Sequence, residues 1–226
     1  MKVFLIIPTF NEGDRLYDTY ARIPKGVVNN IVIVDDGSIK TIENSKLKRA
    51  TLLRHNINLG KSAAMKTGAD YAFKNKADAV IFMDSDGQHN PQEIEKFVKY
   101  LKNGYEIIFG SRQMPIDAPL VRILGSKFAS IYINMIFGVY VSDIPSGYRG
   151  MTRKAYDSLR WNPSPPPGYD VETEIVARLG RFGKHLKRVE FPVETIYVDK
   201  YKGMTIMDAV NILFKSLWWK LSWAFK

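Results

Sequence analysis

The sequence predicts an α/β protein with a Rossmann-like, mostly parallel central sheet flanked by helices and an amphipathic helix at the C-terminus. Three observations support this fold class. Short apolar runs alternate with stretches of helical spacing, which is typical of parallel strands joined by crossover helices. The runs are almost continuously apolar, as strands covered on both faces must be. Four runs are followed directly by polar residues, at the strand end where such sheets bind ligands.

Apolar runs in the first half of the chain predict five strands, at residues 2–7, 31–34, 51–54, 79–83 and 106–109. Helical spacing predicts helices over residues 12–23 and 61–74. A third helix is expected to begin at Asn90 and Pro91, because proline suits the first helical position and Glu93 then falls in the first turn. Strands and helices therefore alternate as far as residue 109.

The second half of the chain is less regular. Prolines predict loops at residues 113–120 and 163–168. The other segments are a largely apolar stretch at residues 121–141, a helix at residues 170–179, and strand-like patterns at residues 186–191 and 193–198.

The C-terminal segment, residues 206–226, combines an apolar pattern with lysines, and three of the four tryptophans lie in its last nine residues. Tryptophan with lysine is typical of a helix that lies in the lipid headgroup layer. The alternative is a helix that covers the core of the protein itself.

Composition sets further limits. With 226 residues, of which 46% are hydrophobic, the chain can form one domain with a substantial core. The absence of cysteine excludes disulfides and thiolate metal sites. A net charge of +10 is compatible with nucleic acid, anionic lipid, a phosphorylated substrate, or simply a soluble surface. The apolar run at residues 3–7 is too short for a signal peptide, and we expect no membrane-spanning helix.

The polar clusters at residues 8–12, 35–38, 84–89 and 110–112 follow four of the predicted strands, so we expect them to share one crevice. Within them, Asp84, Asp86 and Gln88 alternate, and in an extended chain they project to the same side. Two carboxylates and an amide carbonyl form an all-oxygen ligand set, which suits Mg²⁺ or Mn²⁺. The alternative is a solvated acidic turn.

Other phosphate and metal motifs are absent from the sequence. Gly60, Lys61 and Ser62 resemble the end of a phosphate-binding P-loop, but His55 stands where that motif requires glycine. No G-x-G-x-x-G follows the first strand, which argues against a nicotinamide or flavin site. The three histidines are too widely separated to predict a histidine metal site.

Five motifs occur in order at suitable spacing: residues 8–12 (PTFNE), 34–38 (VDDGS), 58–61 (NLGK), 84–89 (DSDGQH) and 110–112 (GSR). On these motifs the chain resembles the inverting GT-A glycosyltransferases of family 2, in particular the dolichyl- and polyprenyl-phosphate sugar synthases, the subgroup of dolichol phosphate mannose synthase. The first 112 residues carry most of the resemblance. Residues 145–149 (PSGYR) resemble the acceptor-side loop and extend it to about residue 200.

The resemblance implies roles for individual residues. Donor-binding residues would be Pro8, Thr9, Glu12, Asp36, Lys61, Asp84 and Arg112. The metal ligands would be Asp84, Asp86 and Gln88, the catalytic residues Asp86, Arg112 and Arg122, and the acceptor-binding residues Arg122, Ser146, Arg149, Lys200 and Lys202. The last two stand where the family has arginines, and lysine keeps the charge but not the bidentate fork.

The implied acceptor explains why the sequence offers no obvious general base. A lipid monophosphate has a second pKa of about 6, so it is mostly a dianion at neutral pH and needs no base to act as a nucleophile. It needs cations that bring it beside the anionic donor, whereas a hydroxyl acceptor would require a base. No histidine or carboxylate outside the acidic cluster stands out as one.

The resemblance therefore implies a metal-dependent inverting glycosyltransferase that moves a sugar from GDP-mannose or a UDP-hexose to dolichyl or polyprenyl phosphate. Residues 1–205 would form one GT-A catalytic domain, divided into a nucleotide-sugar half (1–112) and an acceptor half (113–205), followed by the helix at 206–226. The enzyme would be cytoplasmic and peripheral at the inner face of the membrane, without a nucleic acid partner. A small membrane-protein partner is compatible with this picture.

Three alternatives remain open. A related enzyme could use a polysaccharide or other glycan acceptor. A basic membrane-binding module with a degenerate site would explain the charge, although the intact acidic cluster counts against it. A sugar-1-phosphate nucleotidyltransferase would need a glycine-rich basic loop after the first strand, and residues 8–13 do not supply one.

Overall fold

A computed structural model of the chain describes residues 1–113, 120–161, 171–196 and 206–224, with side chains throughout except at residues 120–126, 206–210 and 224. Its strands form one sheet in the order β3-β2-β1-β4-β6-β5-β7. They are β1 (Val3–Thr9), β2 (Asn30–Asp35), β3 (Ala50–Arg54), β4 (Ala79–Phe82), β5 (Ile107–Arg112), β6 (Arg149–Thr152) and β7 (Arg188–Val193). All neighbours pair in parallel except β6, which runs antiparallel between β4 and β5.

The helices cover both faces of this sheet. They are α1 (Asp14–Ala21), α2 (Lys61–Lys74), α3 (Ile94–Lys102), α4 (Leu120–Phe137), α5 (Arg153–Leu159), α6 (Val171–Phe182) and α7 (Ile206–Ala224), with 3-10 turns at Asn44–Lys46 and Pro91–Glu93. Along β1, Phe4 and Ile6 point into the core under α2, and Leu5 and Ile7 point into the core under α1 and α3. This alternation explains why every residue of β1 is buried.

These observations confirm the predicted fold class, and α2 has the predicted bounds. Gly60, at φ +90°, immediately precedes this helix. The other first-half strands and helices are found where they were expected, with ends shifted by a few residues. Leu120 was expected in a loop but is the first residue of α4.

The sequence prediction missed β6 and α5. Strand β6 has only four residues, including Gly150, and its pairing with β4 and β5 on both sides holds it in the sheet. Helix α5 follows at once, and the Thr152 side chain caps it by accepting the Ala155 N–H.

The strand expected at residues 193–198 is not found as such. Residue 193 ends β7, and residues 194–196 form only an isolated bridge between His89 and Thr195. Residues 197–198, the proline loop at 163–168 and residues 114–119 lie outside the described part of the chain.

The sheet topology brings the predicted polar clusters together. Strands β1, β2, β4 and β5 are mutually parallel through their pairings, so their carboxyl ends lie at one edge. Because β6 is antiparallel, it begins at that same edge, and residues 145–149 lead into it there. No described helix has the length and hydropathy needed to cross a bilayer.

Candidate active site

Hydrogen bonds join the strand ends into one surface. The Asn11 N–H donates to Ser38 Oγ at 2.9 Å, and Ser85 Oγ donates to the Pro8 carbonyl at 3.0 Å. Pro8 and Thr9, two predicted donor contacts, close β1, and the buried Thr9 accepts the Asp36 N–H at its carbonyl. The convergence of the clusters after β1, β2 and β4 is therefore a feature of the structure.

Asp36 fixes the turn that leads into α2. Its carboxylate accepts the N–H groups of Leu59 (2.9 Å) and Gly60 (2.7 Å), and His55 Nδ1 lies 2.6 Å from it. The carboxylate is buried, and these three contacts hold the start of α2 against the end of β2. Glu12, another predicted donor contact, lies just before α1 and forms a 4.0 Å ion pair with Arg15.

Asp84 and Lys61 form the charged centre of the site. Lys61 Nζ lies 2.7 Å from Asp84 Oδ1 and 2.7 Å from Glu172 Oε1, so one ammonium bridges two carboxylates. Burial would raise the pKa of Asp84, but the contact with Lys61 and the electrostatic effects of His89 and Arg112 together outweigh burial and lower that pKa to about 2. Burial alone would lower the pKa of Lys61, but the two carboxylates raise it. Asp84 and Lys61 are therefore both charged at neutral pH.

Asp86 and Gln88 follow Asp84 in a tight turn. The Gln88 N–H donates to Asp86 Oδ1 at 3.0 Å, and the Ile196 N–H donates to the Gln88 carbonyl at 2.8 Å. Burial and the negative charge of Asp84 raise the pKa of Asp86. The two carboxylates therefore repel each other, and a cation between them would relieve that repulsion.

The residues present fit a hard divalent cation. A Cβ at Gly147 would lie 2.7 Å from Asp84 Oδ2 and 2.9 Å from Lys61 Nζ, so glycine keeps the space in front of the carboxylate open. Among the described residues, no group of three or more Asp, Glu or His side chains is arranged to hold a metal. A cation bound by Asp84 and Asp86 would therefore need further oxygen ligands, as Mg²⁺ commonly takes from substrate phosphates and water.

His89 supports the Asp84 backbone. Its Nδ1 lies 3.0 Å from the Asp84 nitrogen and accepts that N–H, and its ring stacks on Tyr148 with centroids 4.7 Å apart. Burial lowers the pKa of His89, which favours the neutral imidazole that this hydrogen bond requires. His89 is therefore a supporting residue of the acidic turn.

Arg112 is held by a carboxylate that the sequence did not indicate. Its Nε and Nη2 each lie 2.8 Å from an oxygen of Asp143, in the loop between α4 and β6, and its N–H donates to the same carboxylate at 2.9 Å. The charge of Arg112 also contributes to the low pKa of Asp84, so the two groups lie within electrostatic reach. Arg112 is thus a fixed cation at the edge of the acidic cluster.

Arg149 begins β6 and lies beneath the loop at residues 144–147. It is 1% exposed, and its guanidinium donates to the backbone carbonyls of Ser146, Glu172 and Ile144. Burial lowers the pKa of Arg149 to about 10, so it keeps its charge at neutral pH. The side chain ties residues 144–147 to the first turn of α6. The buried Ser146 Oγ has no hydrogen-bond partner among the described residues.

Glu172 is the functional candidate that sequence reasoning missed. It lies in the first turn of α6, is 5% exposed, and contacts Lys61, which is 111 positions earlier in the chain. An acidic residue in the first turn of a helix is ordinary. The sequence signal was therefore indistinguishable from a helix-start preference.

The remaining predicted acceptor contacts fall on parts of the chain that the structure does not describe. Arg122 belongs to α4, but its side chain lies outside the description, as do Lys200 and Lys202 entirely.

The sheet, the acidic turn at its carboxyl edge and the loop over that turn define a glycosyltransferase of the GT-A type. Residues 4–160 match the family model described as glycosyl transferase family 2, and the chain belongs to that family. The membership predicted from its motifs is therefore confirmed.

The relatives agree with this assignment. The chain is 32% identical to an uncharacterised protein of Methanocaldococcus jannaschii, covering 97% of this chain and 93% of that one. It is 30% identical to a dolichol-phosphate mannosyltransferase of Pyrococcus furiosus, over 97% of this chain and 65% of that one. It is 28% identical to a UDP-N-acetylglucosamine–dolichyl-phosphate N-acetylglucosaminyltransferase of Methanococcus voltae, over 97% and 96%.

A solved structure supports the fold. Glucosyl-3-phosphoglycerate synthase from Mycobacterium tuberculosis, in complex with Mn²⁺, UDP-glucose and phosphoglyceric acid, superimposes with a TM-score of 0.69. The match covers 98% of this chain and 79% of that one at 18% identity, so it bears on the fold alone.

Proposed function

We propose that this glycosyltransferase moves a sugar from a nucleotide diphosphate sugar to a dolichyl or polyprenyl phosphate, with Mg²⁺ or Mn²⁺ as cofactor. The observation that carries the proposal is the pair Asp84 and Asp86 at the carboxyl edge of the sheet, with Lys61 in contact and Arg112 within electrostatic reach. Carboxylates that would bind a metal therefore lie beside cations that would bind phosphate groups. The names of relatives that act on dolichyl phosphate support the acceptor.

On the donor side, Asp84, Asp86 and Gln88 would hold the metal, which would stabilise negative charge on the diphosphate leaving group. Lys61 and Arg112 are fixed by ion pairs at the same edge and would contact phosphate oxygens.

The base and ribose of the donor would lie over the ends of β1 and β2. We assign Pro8, Thr9 and Glu12 to direct contact. Asp36 would act through the turn before α2, because its carboxylate is already bonded to that turn. This arrangement does not distinguish GDP-mannose from a UDP-hexose.

On the acceptor side, the phosphate dianion would attack the anomeric carbon in a single in-line displacement, which inverts the configuration. We assign Arg122, Lys200 and Lys202 to the acceptor phosphate and Ser146 to the loop beside it. Arg149 would act as a positioning residue, because its guanidinium is buried on three carbonyls. It would shape the loop that the acceptor meets.

We further propose that α7 and α4 hold the enzyme at the inner face of the membrane, with residues 1–205 as the catalytic domain. Both helices expose large apolar side chains at helical spacing: Phe128, Ile131 and Met135 on α4, and Phe214, Leu217, Trp218 and Leu221 on α7. The opposite sides of the helices pack inward through Ile133, Ile212 and Trp219. Exposed apolar faces on two neighbouring helices are typical of an interaction surface, and a lipid acceptor makes the bilayer the matching partner.

A glycan acceptor is the second candidate, and Glu172 is the observation that favours it. A buried carboxylate near the acidic cluster has the chemistry of a general base for a hydroxyl group. In the structure, however, Glu172 is ion-paired with Lys61 at 2.7 Å, which holds it away from that role.

The proposal is tested by incubating the protein with Mn²⁺, a short polyprenyl phosphate and a panel of UDP- and GDP-sugars. We expect one donor to yield a lipid-linked sugar, and no product when EDTA removes the metal. Failure of every donor to give a glycolipid, with a folded protein that binds nucleotide and Mn²⁺, would contradict the acceptor assignment.

A further inference from the structure

We infer that Lys61 is a displaceable counterion of the metal site: it occupies Asp84 until a divalent cation binds, and Glu172 then holds it beside the donor phosphates. This inference rests on the proposed function, because it concerns the same metal site. It gives Glu172 a positioning role that neither the family match nor the relatives assign.

The geometry makes Lys61 a shared group. Its ammonium lies at the same distance, 2.7 Å, from Asp84 Oδ1 and from Glu172 Oε1. A divalent cation on Asp84 would repel the ammonium at that distance, and Glu172 offers a second anion already in contact. Lys61 can therefore keep its contact with Glu172 when a metal ion takes its place on Asp84.

The surroundings leave little freedom for any other arrangement. A Cβ at Gly147 would lie 2.9 Å from Lys61 Nζ, so the backbone of the acceptor-side loop covers the ammonium on that side. Glu172 is 5% exposed, and its main-chain carbonyl accepts a hydrogen bond from Arg149. The main chain of Glu172 is therefore tied through Arg149 to the same loop that covers Lys61.

The charges explain why such an exchange is useful. Without a cation, Asp84 and Asp86 would face each other as uncompensated carboxylates, and Lys61 neutralises one of them. When the metal replaces Lys61 on Asp84, the released ammonium stays within a side chain's reach of the site. Metal binding would then deliver a positive charge to the diphosphate at the moment when the donor arrives.

The test is the affinity for Mn²⁺ alone, without nucleotide, measured by electron paramagnetic resonance of free Mn²⁺. Lys61→Met removes the competing ammonium and should tighten Mn²⁺ binding by about tenfold, within the range of coupling between contacting charges. Lys66→Met is the matched control, because it removes a lysine from the same helix that pairs with Asp70 instead. We expect that control to bind Mn²⁺ like the wild type.

Glu172 is tested in a double-mutant cycle. In the wild-type background, Glu172→Gln leaves Lys61 on Asp84 alone and should weaken Mn²⁺ binding several-fold. Glu172→Asp, which keeps the charge but shortens the reach, should weaken it similarly. In the Lys61→Met background, Glu172→Gln should have little effect. An effect at least as large there would show that Glu172 is itself a metal ligand and would overturn the inference.

The other outcomes separate the inference from the function. If Lys61→Met binds Mn²⁺ no better than wild type, the inference is wrong and the metal-dependent function stands. If the wild type and Lys61→Met both bind Mn²⁺ only when UDP or GDP is present, Lys61 does not compete with the metal for Asp84. That result also overturns the inference. If no protein binds Mn²⁺ with or without nucleotide, the proposed metal-dependent function fails as well.

Discussion

The first half and the second half of this chain use charged residues in different ways. In the first half, Asp36 and Asp86 accept hydrogen bonds from main-chain N–H groups, Asp36 from the turn before α2 and Asp86 from its own turn after β4. In the second half, Arg149 and Glu172 are buried and joined to residues of other elements. Carboxylates of the first half thus fix backbone turns, whereas Arg149 and Glu172 join the loop before β6 to α6 and to Lys61.

The two arginines Arg112 and Arg149 differ in the same way. Arg112 keeps its guanidinium at the edge of the acidic cluster, held by Asp143 in a bidentate pair. The guanidinium of Arg149 donates hydrogen bonds to three backbone carbonyls, two in the loop before β6 and one in α6. A motif arginine can therefore act on a substrate directly or through the backbone that it supports.

The largest expected effect concerns the acidic turn after β4. Asp86→Asn should lower the rate of glycolipid formation by about 10²–10³-fold, because charge on the leaving group loses its stabilisation. The midpoint of thermal unfolding should not fall, since burial and repulsion from Asp84 both raise the pKa of Asp86 and the substitution removes the charge that they disfavour.

Asp78→Asn is the matched control for that variant, because Asp78 is exposed and lies at the start of β4, away from the site. It should keep wild-type activity. Near-wild-type activity of Asp86→Asn would mean that the acidic turn holds no catalytic metal.

In the second half of the chain, Arg149→Met should act mainly on stability. The substitution leaves the carbonyls of Ile144, Ser146 and Glu172 without their buried donor, and we expect a loss of about 3 kcal/mol in the free energy of unfolding. Denaturant titration measures this loss. A stable variant with a raised KM for polyprenyl phosphate would instead show that Arg149 contacts the acceptor, and the distinction between the two arginines would be lost.

Gly147→Ala tests the contact between the two halves. The new Cβ would lie 2.7 Å from Asp84 Oδ2, so the carboxylate or the loop must shift. Because a displacement of about 1 Å can cost up to 10²-fold in rate, we expect activity to fall by about 10–10²-fold and Mn²⁺ affinity to fall with it.

Gly104→Ala serves as the control for Gly147→Ala. A Cβ there meets nothing within 4 Å, although its φ of +82° is strained for alanine. It should lower stability without changing Mn²⁺ affinity. Equal effects of both substitutions on Mn²⁺ affinity would contradict a specific role for the Gly147 contact.

The smallest effect concerns the exposed apolar face. Replacing Phe214 and Trp218 with serine should weaken binding to anionic vesicles by about tenfold or more, because these side chains are 70% and 69% exposed and available to lipid. Co-sedimentation with vesicles at increasing salt measures the binding, and salt should weaken the binding of the wild type and of the double variant. Trp219→Ser is the contrasting variant, since Trp219 is buried and its loss should act on stability. Unchanged vesicle binding by the double variant would exclude this face as the anchor.

The sequence predicted the first half well for a physical reason. Apolar strands, the start of α2 after Gly60 and the acidic motif at Asp84 are marked by residues close together in the chain, and their order determines which edge they reach. Helix α2 was therefore placed with the bounds that the structure shows.

The missed features depend on long-range pairing. Strand β6 is held by β4 and β5 on either side and has only four residues. The Lys61–Glu172 contact joins positions 111 residues apart, and the partner of Arg112 lies 31 residues away. No local pattern specifies such partners, so Asp143 and Glu172 emerged only from the fold.

The most direct test of the proposed function compares two acceptors that differ by one group. Polyprenyl phosphate and the polyprenol of the same chain length are each incubated with Mn²⁺ and the active donor sugar, and lipid-linked sugar is measured. The phosphate should be glycosylated and the alcohol should not, because the phosphate is already anionic and Glu172 is occupied by Lys61. Glycosylation of the alcohol at a comparable rate would contradict the account and would identify a general base in this site.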